Sequence, residues 1–193
     1  MSKDFLIVDF EFTQYTKRAG RPRGFFSEII EIGAVKIDRA TLETTGQIQN
    51  FVKPHFYPNQ AAEGMAFAMI TESDMKTAIE FDCMLDKIKS LYVPGETWFV
   101  SWGGADYSVV KEGCERHDVP IPVLSEDYLD FAEAYKRWYG DTKTTSLRNA
   151  AGEQNIIIEG LWHTAYSDAV ITSKILFCLL EDGWKPEDAI ETP

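Results

Sequence analysis

The sequence has few of the residues on which disulfide-linked, zinc-binding and membrane-spanning proteins depend. Only three cysteines occur in 193 residues, and Cys83, Cys114 and Cys178 lie too far apart to match a zinc-ligand pattern. No uninterrupted apolar stretch approaches the ~20 residues of a bilayer span, and the N-terminus lacks the cleavage site of a signal peptide. These absences predict a cytoplasmic protein with reduced thiols and no membrane contact.

Positive charge is also scarce, because 19 lysines and arginines stand against 31 acidic residues and give a formal net charge of -12. This balance argues against the broad basic surface that non-specific binding to long nucleic acid needs. A short strand held by metal ions in one cleft remains compatible with it. Hydrophobic residues make up 45% of the chain, which predicts a single domain over 1–193. The sequence leaves open whether this domain forms a homodimer.

The order of the predicted elements indicates a mixed α/β sheet with helices on its faces. Strands are expected first, joined by short loops as an antiparallel meander, at 5–12, 28–38 and 47–54. A further buried strand is expected at 97–102. Helices are expected over 71–90, where Thr71 and Asp74 form a capping box, and over 106–117, 127–139, 146–151 (closed by Gly152) and 168–180.

Two carboxylates stand in the first predicted strand. Asp9 and Glu11 are two residues apart, so both side chains lie on one face of a strand. Buried neighbouring carboxylates repel each other, and a divalent cation bound through oxygen ligands, such as Mg²⁺ or Mn²⁺, offsets that repulsion. The alternative is a strand end at which both acids reach water.

Three more polar residues follow at element boundaries. Asp106 opens a helix after the strand at 97–102, where mixed sheets build their sites, although Asp taken alone is more often a helix N-cap. His163 and Asp168 are five residues apart, ~140° around a helix, and so share no helix face. We therefore expect His163 on a loop, able to accept a proton from water, and Asp168 in the first turns of the helix. A solvent-exposed histidine is the alternative.

In combination these motifs resemble the DEDDh family of 3'-5' exonucleases, the DnaQ-like, RNase T-type superfamily. The runs that carry the resemblance are DFEFT, EIIEIGAVKID, SWG before Asp106, and GLWHTAYSDA, and they look most similar to Eri-type exoribonucleases and KapD-like proteins. The resemblance covers residues 5–180. It implies a ribonuclease H-like fold with a mixed five-stranded sheet flanked by helices. The segment GMAFAMITESDM departs from the Thr-Gly-Ile pattern often found there.

The resemblance also implies a role for each of these residues. Asp9, Glu11 and Asp168 would hold the first of two Mg²⁺ or Mn²⁺ ions, Asp9 would bridge to the second, and Asp106 would support the site through water. His163 would be the general base. Such a site would release a mononucleotide from the 3' end of single-stranded RNA or DNA.

Candidate contacts to the substrate come from two segments. Phe12, Thr13 and Trp102 are the candidates for the terminal nucleotide, with ordinary core packing as the alternative for the aromatic pair. A basic cluster follows the first strand and is expected to contact upstream phosphates, unless it is only a solvated loop. Its members are Lys17, Arg18, Arg21 and Arg23.

Two other functions stay open at this point. A DNA-directed proofreading or repair exonuclease would carry the same five residues, because the contacts to a 2'-hydroxyl that separate RNA from DNA are not visible in a sequence. A KapD-like regulatory protein could keep the fold and act by binding a partner. The intact set of acids weakens that second alternative.

Overall fold

The computed structural model describes residues 3–15, 20–157 and 164–189. Within these ranges one five-stranded sheet has the order β3-β2-β1-β4-β5. The first three strands pair antiparallel, and β4 and β5 continue the sheet parallel to β1. The predicted mixed sheet with its opening meander is confirmed. The strands are Asp4–Phe12 (β1), Ile29–Ile37 (β2), Thr44–Phe51 (β3), Thr97–Ser101 (β4) and Tyr128–Asp130 (β5).

Helices cover both faces of the sheet. In the described part of the chain the α-helices are Ala61–Phe67 (α1), Glu72–Met75 (α2), Phe81–Leu91 (α3), Ala105–Arg116 (α4), Phe131–Tyr139 (α5), Leu147–Glu153 (α6) and Ala165–Glu181 (α7). Helices α5, α6 and α7 pack on one face, around Ile7 and Trp98. Helices α3 and α4 pack on the other, around Phe10 and Phe99. None of these described helices is long and apolar enough to cross a membrane.

The prediction of a single helix over 71–90 is wrong, because the chain forms two helices there. The capping box of Thr71 and Asp74 is present at the start of α2, but that helix has only four residues. Ile79 then forms a parallel bridge with Val52, and its N–H donates to the Phe51 carbonyl at 2.9 Å. Pairing with the end of β3 therefore replaces helical hydrogen bonds before α3 begins.

Other element boundaries also differ from the sequence-based expectation. Residues 128–130 form β5 beside β4, so the helix expected from 127 starts only at Phe131. Gly152 lies inside α6 instead of closing it, and the third strand begins earlier, at Thr44. Helix α1 was not predicted. It packs closely on the end of β1, where a Cβ on Gly64 would lie 2.6 Å from the Phe12 carbonyl oxygen.

Candidate active site

Strand β1 presents two carboxylates on the face covered by α7. In the antiparallel register Asp9 lies opposite Gly33 and Glu11 lies opposite Glu31. The alternate residues Val8 and Phe10 enter the core on the other face. The period of two expected from the sequence therefore places Asp9 and Glu11 side by side at the end of the central strand.

Helix α7 brings a third carboxylate to this pair. Thr164 caps the helix by accepting a hydrogen bond from the Ser167 N–H at 3.3 Å, so Asp168 stands in the first turn. One carboxylate oxygen from each of Asp9, Glu11 and Asp168 lies within 4.8 Å of the other two. This compact group of oxygen ligands fits a divalent cation such as Mg²⁺ or Mn²⁺.

Gly33 explains how the helix comes so close to the sheet. A Cβ at this position would lie 2.0 Å from the Tyr166 nitrogen and 2.3 Å from the Ala165 oxygen. The first turn of α7 therefore rests directly on the backbone of β2. Since Gly33 pairs with Asp9, this close approach brings the first turn of α7, which carries Asp168, beside the carboxylates of β1.

Glu31 is a fourth carboxylate, which the sequence reading did not single out. It is 2% exposed and lies directly across from Glu11. Its carboxylate accepts a hydrogen bond from the Ala165 N–H, in the first turn of α7. In the sequence Glu31 is only a glutamate two residues before Gly33. Its place beside the site follows from the register of β1 and β2, which the sequence alone does not give.

Asp106 is held against β1 by a backbone contact. Its Oδ1 accepts a hydrogen bond from the Phe10 N–H at 3.0 Å, between the two acids of the strand. Strand β1 pairs with β4 only from Asp4 to Ile7, so Phe10 lies beyond that ladder. The N-cap of α4 is Gly104, so Asp106 is not the helix N-cap. It also lies outside the compact three-carboxylate group among the described residues.

The electrostatics of the site favour bound positive charge. Burial, together with the Asp106 and Asp168 carboxylates, holds the pKa of Asp9 well above its usual range. Burial also raises the pKa of Glu11 to about 8. It raises the pKa of Asp106 to about 7, although the Phe10 N–H opposes that rise. Carboxyl groups with pKa values raised in this way keep their protons near neutral pH unless a bound cation displaces the protons.

The aromatic and hydroxyl candidates around the site all make packing or hydrogen-bond contacts. Phe12 is partly exposed and packs against the core beneath α3 and α4. Trp102 is also partly exposed, and its indole N–H donates to the Thr145 carbonyl at 3.2 Å. Thr13 is fully buried, and its hydroxyl accepts the Glu28 N–H at 2.9 Å.

The remaining candidates are His163 and the four basic residues, and the structure describes only two of these five residues. Arg21 and Arg23 are exposed on the loop after β1. His163, Lys17 and Arg18 lie outside the described residues.

Comparison with known proteins shows the family to which the chain belongs. The profile of the RNase T exonuclease family matches residues 6–176. The chain belongs to this exonuclease family. It is 33% identical over 181 residues to the probable 3'-5' exonuclease KapD of Bacillus subtilis, covering 93% of this chain and 85% of that protein. It is 24% identical to human 3'-5' exoribonuclease 1, and the match covers 92% of this chain and about half, 52%, of that protein.

Solved structures share the fold. The nuclease domain of 3'hExo, a DEDDh family member bound to rAMP, superposes with a TM-score of 0.81 at 22% identity, covering 94% of each chain. The Mg²⁺- and Mn²⁺-bound form of Pop2p from S. pombe superposes with a TM-score of 0.68 at 18% identity, covering 94% of this chain and 84% of Pop2p. The family, the fold and the relatives together identify a hydrolytic 3'-5' exonuclease of the DEDDh superfamily that acts on nucleic acid.

Proposed function

We propose that this exonuclease removes 5'-mononucleotides one at a time from the 3' ends of single-stranded RNA or short oligonucleotides, with two Mg²⁺ or Mn²⁺ ions. The observation that carries the proposal is the compact group of Asp9, Glu11 and Asp168. The divalent-metal dependence of the family supports it. The resemblance to exoribonucleases favours RNA over DNA.

Each residue of the site has a role in this reaction. Asp9, Glu11 and Asp168 would hold the first cation, Asp9 would bridge to the second, and Asp106 would act through water. When bound, the cations supply positive charge that stabilises the attacking and leaving oxygens. His163, one residue before the Thr164 cap, takes a proton from the attacking water. The water oxygen bonds to phosphorus as the bond from phosphorus to the 3' oxygen breaks. The leaving 3' oxygen takes a proton from solvent, and His163 returns its proton to solvent. The products are a 5'-mononucleotide and a strand that is one nucleotide shorter and ends in a 3'-hydroxyl.

The terminal nucleotide would lie at the end of β1. Phe12 and Trp102 keep part of their rings exposed, and a base packed on such a ring gains ~1–3 kcal/mol regardless of its identity. Thr13 would act less directly. Its N–H donates to the Glu28 carbonyl at 2.8 Å, and with its hydroxyl contact this closes the base of the loop that follows β1.

That loop carries both aromatic and basic side chains. The ring of Phe25 lies 5.7 Å from Tyr15 and 5.1 Å from Tyr57, measured between centroids. The Arg21 guanidinium lies 5.3 Å from the Phe25 centroid. Because the loop leaves the sheet two residues after Glu11, a strand entering the site would pass it. We propose that the basic residues contact upstream phosphates there, since stacking rings with arginines suit single strands.

Substrate length tests the role of the loop. Replacing all four basic residues by alanine should raise KM for a twelve-nucleotide strand and weaken its salt dependence, with a dinucleotide unaffected. An unchanged KM and salt dependence would contradict this role. The matched control removes four exposed lysines elsewhere, namely Lys76, Lys87, Lys111 and Lys143.

The reaction itself is tested with 5'-labelled single-stranded RNA and DNA in Mn²⁺. Wild type should give a ladder that shortens from the 3' end, faster on RNA, and Asp9→Ala and His163→Ala should abolish it. A ladder that survives both substitutions would contradict the assigned site. Faster cleavage of DNA would favour the proofreading or repair alternative, and no ladder on either strand would favour a KapD-like binding protein.

We also propose a cytoplasmic location. The support is that Cys83, Cys114 and Cys178 are all free thiols, as proteins of reducing compartments usually keep them.

A further inference from the structure

Glu31 is costly to place where the structure has it. It is 2% exposed, and its neighbours across and along the sheet include the carboxylates of Glu11 and Asp9. Among the described residues no lysine or arginine forms an ion pair with Glu31, Glu11 or Asp9. A buried carboxylate beside other carboxylates needs a compensating contact to be retained.

One such contact is the start of α7. The Glu31 carboxylate accepts the Ala165 N–H, one of the N-terminal N–H groups that have no partner inside the helix. A negative charge at this end also suits the helix dipole. Asp168 lies three residues further along the same turn. This hydrogen bond therefore helps to set the distance between Asp168 and the sheet.

The other oxygen of Glu31 shows that this contact is not the whole role. Glu31 Oε2 is buried and has no hydrogen-bond partner within the described ranges of the chain. Buried polar atoms normally have a partner, so an exception beside a cluster of carboxylates points to a role in the site. A tether to Ala165 needs only one acceptor oxygen, which a neutral glutamine would also supply, as a weaker acceptor.

We propose that Glu31 is a positioning residue of the exonuclease site with two separable contributions. One oxygen tethers the first turn of α7, and the negative charge of the carboxylate strengthens the divalent-cation site formed by Asp9, Glu11 and Asp168. The inference rests on the proposed metal-dependent function. It assigns Glu31 a place beside the five residues that define the family pattern.

Two substitutions separate the contributions. Glu31→Gln keeps an acceptor for the Ala165 N–H and removes the charge. Glu31→Ala removes both. Glu115→Gln is the matched control, because it removes one charge from the exposed surface of α4.

Calorimetric titration of the metal-stripped full chain with Mn²⁺, without substrate, gives a readout that a merely structural role would not move. Glu31→Gln should weaken Mn²⁺ binding about ten- to a hundredfold, and it should raise the melting temperature of the metal-free protein by relieving repulsion. Its kcat at saturating Mn²⁺ should stay close to that of wild type, because the three carboxylates and an acceptor for the Ala165 N–H are kept. Glu31→Ala should lose kcat further, because Asp168 loses its tether, and Glu115→Gln should match wild type.

Unchanged Mn²⁺ affinity in Glu31→Gln, with wild type binding Mn²⁺ and cleaving strands, would overturn the role of Glu31 alone. Should Glu31→Ala fail to fold, Glu31→Gln still decides. A wild-type protein that neither binds Mn²⁺ nor cleaves any strand would overturn the proposed function, and the role of Glu31 with it.

Discussion

Gly33 sets how closely Asp168 approaches the carboxylates of β1. Any side chain there would collide with the backbone at the start of α7, with the nearest atom 2.0 Å from the Cβ position. The colliding atoms belong to the backbone, so they cannot yield by a change of rotamer. The geometry of the cation site therefore depends on a residue that contributes no ligand.

Gly33→Ala should destabilise the protein by about 1–3 kcal/mol, the range of an overpacked core. It should also lower kcat/KM about a hundredfold, because a shift of ~1 Å in a positioned group has that effect. Denaturant unfolding and steady-state kinetics measure both. The control is Gly152→Ala in α6, where a Cβ meets nothing within 4 Å, and it should stabilise by about 0.5–1 kcal/mol. Wild-type activity in Gly33→Ala would contradict this account.

The sequence predicted some single residues of the site and not others, for a physical reason. Asp9 and Glu11 follow from a local rule, since side chains two apart on a strand share a face. Glu31 and Gly33 matter only through the pairing of β1 with β2, and pairing across strands leaves no local signature. The contact of Asp106 with the Phe10 N–H likewise joins positions 96 residues apart.

At the scale of elements, long-range pairing explains the errors in the same way. Helical spacing over 71–90 is genuine, but the bridge between Ile79 and Val52 interrupts it. Strand β5 is only three residues long and exists because it pairs with β4. The early strands and α7 were predicted because their patterns are long and uniform.

The connection between α1 and α2 contains a residue in the left-handed backbone region, and its effect on stability can be measured. Met69 has a φ of 57° and is 51% exposed, in a conformation that suits glycine. Met69→Gly should stabilise the protein by about 0.5–1 kcal/mol, the relief of the left-handed conformation less the added entropy of the unfolded chain. Met69→Ala keeps the same backbone and should be neutral. A loss of stability in Met69→Gly would show that the Met69 side chain contributes packing.

At the scale of the whole molecule, the acidic site should make the metal-free protein less stable as pH rises. The pKa of Glu11 is raised from its ordinary value of 4.5 to about 8 in the folded state, and the unfolded chain keeps the ordinary value. Between these values the folded state binds more protons, so stability grows as pH falls from about 8 towards 4.5. Calorimetry in a chelator should therefore show a higher melting temperature at pH 6 than at pH 8.

Saturating Mn²⁺ should raise the melting temperature and remove this slope, because the bound cation takes the place of the protons. Glu11→Gln should make the slope without metal shallower but not remove it, because the pKa values of Asp9 and Asp106 are also raised. This change separates the site from the general repulsion of a chain with net charge -12. A slope that Glu11→Gln leaves unchanged would mean that the site does not govern it.

The central claim is that Asp9, Glu11 and Asp168 form the cation site at which strands are cut. Crystals grown with Mn²⁺ and a 5'-mononucleotide test it directly through anomalous scattering. We predict anomalous peaks within ligand distance of these three carboxylates, with the phosphate of the nucleotide beside them. The claim is contradicted if the region between the three carboxylates has no peak, or if Mn²⁺ and the nucleotide bind together elsewhere.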